Sequence, residues 1–160
     1  MSNPKILMVC LGNICRSPMA EGIFRHHAAQ LGIHVTIDSA GTSGHHSGEA
    51  PDRRAISCLS QKGIDISGLR ARKFERSDIG NFDMILVMDH SNMSEVTALC
   101  RNENEKSRIS YFLDVLPEGS PKHVPDPWYG DQSDFEYVYE LLTKATISRL
   151  SQMQKDNEAR

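Results

Sequence analysis

Apolar residues in this chain come in short bursts, and polar stretches with helical spacing separate them. The first burst, Lys5–Cys10 (KILMVC), is continuous and closes on a glycine two residues later, the pattern of a short buried strand. From Ser17 to Leu31 the apolar period lengthens, and Ala20, Ile23, Phe24, His27, Ala28 and Leu31 form one helical stripe. Ser17 suits the N-cap there, Pro18 the first helical position and Glu21 the positive first turn, with Gly32 as the stop. Ile33, Val35 and Ile37 alternate as a second strand, and residues 41–51 (GTSGHHSGEAP) make a glycine-rich loop too polar for core. A helix is expected over 51–62, ended by Gly63. A strand follows over 82–88, then a helix over 92–101 that faces inward through Met93, Val96, Thr97 and Cys100. A fourth strand is expected within 108–113, then a long loop over 114–132 carrying Pro117, Pro121, Pro125 and Pro127. The last helix is expected to open at Ser133, with Glu136 completing a capping box and Phe135, Val138, Leu142 and Ala145 facing inward.

Strands alternating with helices predict an α/β fold, a parallel sheet covered on both faces, which binds ligands beyond the carboxyl ends of its strands. At 160 residues, with 39% hydrophobic and 24% charged residues, the chain is expected to form one domain over 1–160, with 155–160 a frayed tail. The formal charge of −3 argues against nucleic acid or an anionic membrane as partner, so any anion must be held by local geometry. The opening residues form no apolar signal region, and no run reaches the ~18 apolar residues of a membrane span, so a cytoplasmic location without membrane insertion is expected. Cys10, Cys15, Cys58 and Cys100 lack Cys-x-x-Cys spacing and are expected as thiols, the last two as core. The adjacent pair His26–His27 points in different directions on a helix and suits chelation poorly, His45–His46 lie on a flexible loop within reach of a substrate, and neither a metal nor a cofactor is expected. The charges of RARKFER are read as a solvated face.

The chemistry concentrates in VCLGNICRSPMAE, residues 9–21. Cys10 ends the first strand, and five residues later Arg16 precedes the helix, giving C-x5-R followed by Ser17. If Leu11, Gly12, Asn13, Ile14 and Cys15 curl with their amides inward, the helix end and the Arg16 fork complete a cradle for one tetrahedral oxyanion. Gly12 permits the tight turn, and Asn13 tolerates a left-handed backbone. The nucleotide motif G-x4-G-K-[ST] is absent, so a phosphate monoester suits the cradle better than a nucleotide. Helix amides and a guanidinium favour a thiolate at the floor, poised for in-line attack on phosphorus, and Ser17 can donate a hydrogen bond to it. The leaving oxygen then needs a proton, and VPDPWYG offers Asp126 for it, with Trp128 and Tyr129 as walls for an aromatic group.

With CLGNICRSP at 10–18 and DPWYG at 126–130, the chain resembles the low-molecular-weight protein tyrosine phosphatases, of bacterial type, over nearly its whole length. The resemblance implies a three-layer αβα fold with a four-stranded parallel sheet and a phosphate-binding loop after the first strand. It implies Cys10 as nucleophile, Arg16 as phosphate clamp and Asp126 as general acid, with Asn13 and Ser17 in support. It also implies metal-independent hydrolysis of phosphotyrosine in proteins through a phosphocysteine, and Cys15 as a redox partner able to form a reversible disulfide with Cys10. Ile14 stands where relatives resembling arginine phosphatases carry threonine, which favours phosphotyrosine. His45 falls about where animal members carry a tryptophan wall, and Leu69 near a histidine that helps hold their phosphate loop.

Three rivals use a similar cradle. An arsenate reductase on this scaffold needs two further relay cysteines, and the region after the third strand offers only Cys100. A sulfurtransferase has no need of the acid loop. A non-catalytic phosphotyrosine-binding module would not need both Cys10 and Asp126.

Overall fold

The computed structural model describes residues 3–159 and contains one sheet of four parallel strands in the order β2-β1-β3-β4. The strands are β1 (Lys5–Cys10), β2 (Thr36–Gly41), β3 (Met84–Val87) and β4 (Ile109–Tyr111). Six α-helices connect or follow them: α1 (Arg16–Gln30), α2 (Arg53–Ser60), α3 (Asp78–Asn81), α4 (His90–Thr97), α5 (Glu103–Lys106) and α6 (Gln132–Glu158). Two 3-10 turns, Phe112–Val115 and Pro127–Tyr129, interrupt the connection expected as plain loop. None of the described helices is long and apolar enough to cross a membrane.

Pleating sorts the continuous apolar strands into two cores. Ile6, Met8 and Cys10 of β1 join Leu86 in the core under α1, α2 and α6, whereas Leu7 and Val9 join Ile85 and Val87 in the core toward α3 and α4. The same alternation sends Cys10 to the α1 side. Strand order reverses between β1 and β3, so the residues just past these two strands share the crevice where such sheets bind ligands.

Several element ends differ from the sequence reading, each for a visible reason. Helix α1 begins at Arg16 rather than at a Ser17 cap, because the Ser17 hydroxyl is engaged inside the loop described below. Glu21 consequently lies beyond the first turn, buried, with Arg25 and Ser39 as partners. His27 is only half-buried and Leu31 is exposed, so the inward stripe of α1 is Ala20, Ile23, Phe24 and Ala28. Strand β2 starts at Thr36 rather than Ile33. Gly32 takes a positive φ of 67°, and the Ile33 and Gly32 amides bond back to the carbonyls of Ala28 and Ala29, closing α1 with a Schellman turn.

Helix α2 is shorter than 51–62 because the Asp52 side chain caps it. Strand β3 keeps only four residues of 82–88. Helix α4 starts earlier than expected, at His90, on a capping box between Asp89 and Asn92. Helix α6 is capped by Asp131, whose carboxylate accepts the Ser133 amide at 2.9 Å, with Asp134 rather than Glu136 returning the bond. It runs to Glu158, so residues 155–158 of the expected tail are helical; Arg160 lies outside the described residues. In RARKFER the charges of Arg70, Lys73 and Glu75 are exposed as expected, whereas Arg72, spanning Asp38 and Asp78, and Arg76, gripping Glu105, are half-buried, with Ala71 and Phe74 in the core between them.

Candidate active site

The strand delivers Cys10 to the end of β1 at 2% exposure, and the following loop folds back over it. Three donors converge on its Sγ: the Ser17 hydroxyl at 3.0 Å, the Asn13 amide at 3.3 Å and the Ser17 amide at 3.4 Å. Helix α1 has no side-chain cap; at its second residue the sulfur itself accepts the free amide. A cap is normally a serine or aspartate oxygen. Here the site's sulfur takes that place, at the positive end of the helix.

Asn13 holds the turn. Its φ of 58° lies in the left-handed region, and it is the described non-glycine residue to do so. Its Nδ2 donates to Ser17 Oγ at 2.7 Å and to Ser39 Oγ at 3.0 Å, while its Oδ1 accepts the Arg72 amide at 3.0 Å. Ser39 in turn donates to the buried Glu21 carboxylate at 2.7 Å, which Arg25 binds at 2.6 Å. Gly41 allows β2 to press on the loop: a Cβ there would lie 2.7 Å from the Leu11 carbonyl oxygen. The next two amides bond the loop directly, Thr42 to the Cys10 carbonyl and Ser43 to that of Leu11, both at 2.9 Å. Leu69, near the family's supporting histidine position, packs half-buried against the core.

Arg16 is buried and bracketed by acids. Its Nη1 donates to Asp89 Oδ2 at 2.6 Å and to the Val124 carbonyl at 3.1 Å, and its Nη2 lies 3.7 Å from Asp126 Oδ2. Burial alone would favour the neutral guanidine, but Cys10, Asp89 and Asp126 outweigh it and push the Arg16 pKa up. Burial likewise works against the Asp89 carboxylate, yet the bond from Arg16 and the Asn92 amide hold it below the usual carboxylate range. Asp126 caps the turn Pro127–Tyr129 through the Trp128 amide at 3.1 Å, which leaves its second oxygen toward Arg16.

Cys10, Arg16 and Asp126 line a cavity of about 350 Å³, whose walls include Leu11, Gly12, Ile14, Cys15, Ser43, His45, His46, Trp128 and Tyr129. Trp128 and Tyr129 meet edge to face at 4.9 Å, and Tyr129 is 90% exposed at the rim. Cys15 opens on the same cavity but is otherwise buried; burial first, then Asp52 and Cys10, raises its pKa and keeps it a thiol. The structure thus brings together Cys10, Asn13, Arg16, Ser17 and Asp126 with the expected wall residues.

The sequence reading missed Asp89, Ser39, Glu21 and Arg72. Asp89 had a signal: an Asp-x-x-Asn cap immediately past a strand end. His46, paired with Glu49 at 2.9 Å, lies against Gly12, where a Cβ would meet its ring carbon at 3.2 Å. The others act through long-range contacts that leave no local pattern.

Comparison with known proteins bears on the same loop and fold. A protein from Bacillus subtilis, the low molecular weight protein-tyrosine-phosphatase YfkJ, is 37% identical over 155 residues, covering 96% of this chain and 97% of its own. The human low molecular weight phosphotyrosine protein phosphatase is 40% identical over 144 residues, covering 87% and 89%. Among solved structures, that of YfkJ superposes with a TM-score of 0.90, covering 98% of both chains at 37% identity. A protein tyrosine phosphatase from Entamoeba histolytica, with Hepes in its active site, also gives 0.90, covering 97% of this chain and 99% of its own at 32% identity. The sequence model of the family "Low molecular weight phosphotyrosine protein phosphatase" matches residues 5–159, from the first residue of β1 through the end of α6. The sheet order, the cysteine-arginine loop after β1 and the acid loop before α6 therefore have one explanation: the chain belongs to the low molecular weight phosphotyrosine protein phosphatase family.

Proposed function

We propose that this protein hydrolyses aryl phosphate monoesters, phosphotyrosine in proteins above all, through a phosphocysteine on Cys10. The observation that carries the reading is the convergence of three donors on the Cys10 sulfur beside a guanidinium held between Asp89 and Asp126. Backbone amides of Gly12, Ile14 and Cys15 find no protein acceptor among the described residues, which leaves them for the equatorial oxygens of a phosphoryl group.

In the first step the Cys10 thiolate forms the S–P bond as the P–O bond to the aryl group breaks, and Asp126 gives its proton to the departing oxygen. In the second step Asp126 takes a proton from water, whose oxygen attacks phosphorus. The S–P bond breaks, returning the thiolate and inorganic phosphate. Arg16 follows the equatorial oxygens through both steps, and Asp89 keeps its plane fixed. Trp128 and Tyr129 flank the aryl group. Cys15, protonated beside Cys10 in the same cavity, suits the role of a thiol that captures an oxidised Cys10 as a reversible disulfide.

The arsenate reductase reading has little support, since Cys100 sits half-buried three residues past α4, with its thiol on the Val96 carbonyl. Assay of 4-nitrophenyl phosphate tests the proposal: hydrolysis is expected, with inhibition by vanadate and none from a chelator. Cys10→Ser is expected to abolish it, and full activity in that variant would end the nucleophile assignment. Asp126→Asn is expected to slow turnover most for poor leaving groups.

A further inference from the structure

Helix α2 takes no part in the chemistry above, yet its first turn touches both catalytic loops. Asp52, its cap, donates its amide to the Ile14 carbonyl of the phosphate loop at 2.8 Å. The Asp52 carboxylate grips Arg54 at two points, Oδ1 accepting from Nε at 3.0 Å and Oδ2 from Nη2 at 2.9 Å. The far side of the same guanidinium then reaches the acid loop, donating from Nη1 to the Gly130 carbonyl at 2.9 Å and from Nη2 to the Trp128 carbonyl at 3.0 Å. One face of the guanidinium lies 4.7 Å from the ring centre of Phe135, a fully buried residue of α6.

Outside its own turn, the backbone of residues 126–130 is hydrogen-bonded by Arg54 alone among the described residues. That turn is three residues long and lies in a proline-rich connection between the first 3-10 turn and α6. A short 3-10 turn holds itself poorly, and its position must come from elsewhere. The phosphate loop, by contrast, is fixed to the sheet. Resting on the phosphatase reading above, we infer that Arg54 is a positioning residue for the general acid: with Asp52 it clasps the acid loop to the phosphate loop and sets the reach of Asp126 over Cys10. The clasp needs a planar fork that binds a carboxylate on one edge and carbonyls on the other, which a lysine cannot supply.

The test compares Arg54→Gln, Arg54→Lys and Asp52→Asn on two substrates, 4-nitrophenyl phosphate with a good leaving group and phenyl phosphate with a poor one. Arg54→Gln is expected to lower kcat/KM for phenyl phosphate by about 10- to 100-fold and for 4-nitrophenyl phosphate several-fold less, since a misplaced acid costs most where the proton matters most. Vanadate inhibition, which reads the phosphate loop alone, is expected to stay within about twofold. Arg54→Lys is expected to remain impaired. Adding Arg54→Gln to Asp126→Asn is expected to cost no more than about twofold, because the acid it positions is already gone.

Equal losses on both substrates, full recovery with lysine, or full additivity with Asp126→Asn would overturn the inference. Asp52→Asn keeps a capping side chain and both carbonyl contacts of Arg54, so it tests the clasp even if Arg54→Gln does not fold. It is expected to shift the two substrates in the same order, and unchanged kinetics would count against the clasp. The unaltered protein and Cys10→Ser, run alongside, separate the two ideas. Failure of the first to hydrolyse either substrate, or activity in the second, defeats the phosphatase reading itself. If both behave as proposed, an additive Arg54→Gln defeats only the clasp.

Discussion

Asn13 donates from Nδ2 to the Ser17 oxygen at 2.7 Å, which leaves the Ser17 hydrogen for the Cys10 sulfur at 3.0 Å, a closer contact than its other acceptor, the Ala40 carbonyl at 3.5 Å. The hydroxyl is thereby oriented before any substrate arrives, and a donor fixed in advance stabilises charge at the sulfur without reorganising. That charge returns when the S–P bond breaks. Ser17→Ala should therefore slow phosphocysteine breakdown more than its formation, lowering kcat by about 10- to 100-fold, with a burst of released phenol in rapid-mixing experiments. Loss of the burst, with formation slowed equally, would contradict this assignment.

The contact between Gly41 and the loop makes a second prediction. A methyl group at 41 would meet backbone atoms of Leu11, Gly12 and Asn13 at 2.7–3.0 Å, and backbone cannot swing aside as a side-chain tip can. Gly41→Ala is expected to destabilise the protein by about 1–3 kcal/mol and to weaken vanadate inhibition, because the cradle itself must shift. Around Gly68 there is open space where a methyl group would lie, and Gly68→Ala should leave stability unchanged or raise it by up to about 1 kcal/mol. Thermal unfolding of the two variants provides the check.

Acid stability follows from the depressed carboxylates. Asp89 is held down by the Arg16 bond against the effect of burial, and Asp52 chiefly by the hydrogen bond from Arg54. A group whose folded pKa lies below its unfolded value contributes stability above the unfolded value, about 4 for aspartate, and loses it as pH falls through the folded one. Denaturant unfolding at a series of pH values should show stability falling below about pH 4, with a shallower fall in Asp89→Asn and in Asp52→Asn. A steeper acid limb in either variant would reverse the sign and refute the pairing.

Much of this was legible in the sequence, for local reasons. The continuous apolar run of β1 and the C-x5-R spacing lie within twelve residues, and the acid sits in a five-residue motif. What escaped was set by contacts across the chain. Ser17 has every local mark of a cap, but Cys10, seven residues earlier, takes the helix amide and the hydroxyl turns to the sulfur. Asp89 meets Arg16 across 73 positions, and the Arg72 amide meets Asn13 across 59. No window of sequence spans such pairs. The alternation of Ile33, Val35 and Ile37 imitates a strand, although Gly32 turns the first of them back to close α1. Within RARKFER, the half-buried pairing of Arg72 and Arg76 escaped because their partners, Asp38 and Glu105, lie in other elements.

The sulfur of Cys10 as the atom that receives the phosphoryl group is the claim on which the rest depends. Acid quenching during turnover of a rapidly cleaved aryl phosphate, followed by mass spectrometry of the peptide carrying residue 10, tests it most directly. The account predicts one phosphoryl group on Cys10, absent from the Cys10→Ser protein and from samples quenched after substrate is exhausted. Sustained turnover with no phosphoryl group on that peptide, or with one on another residue, would contradict it.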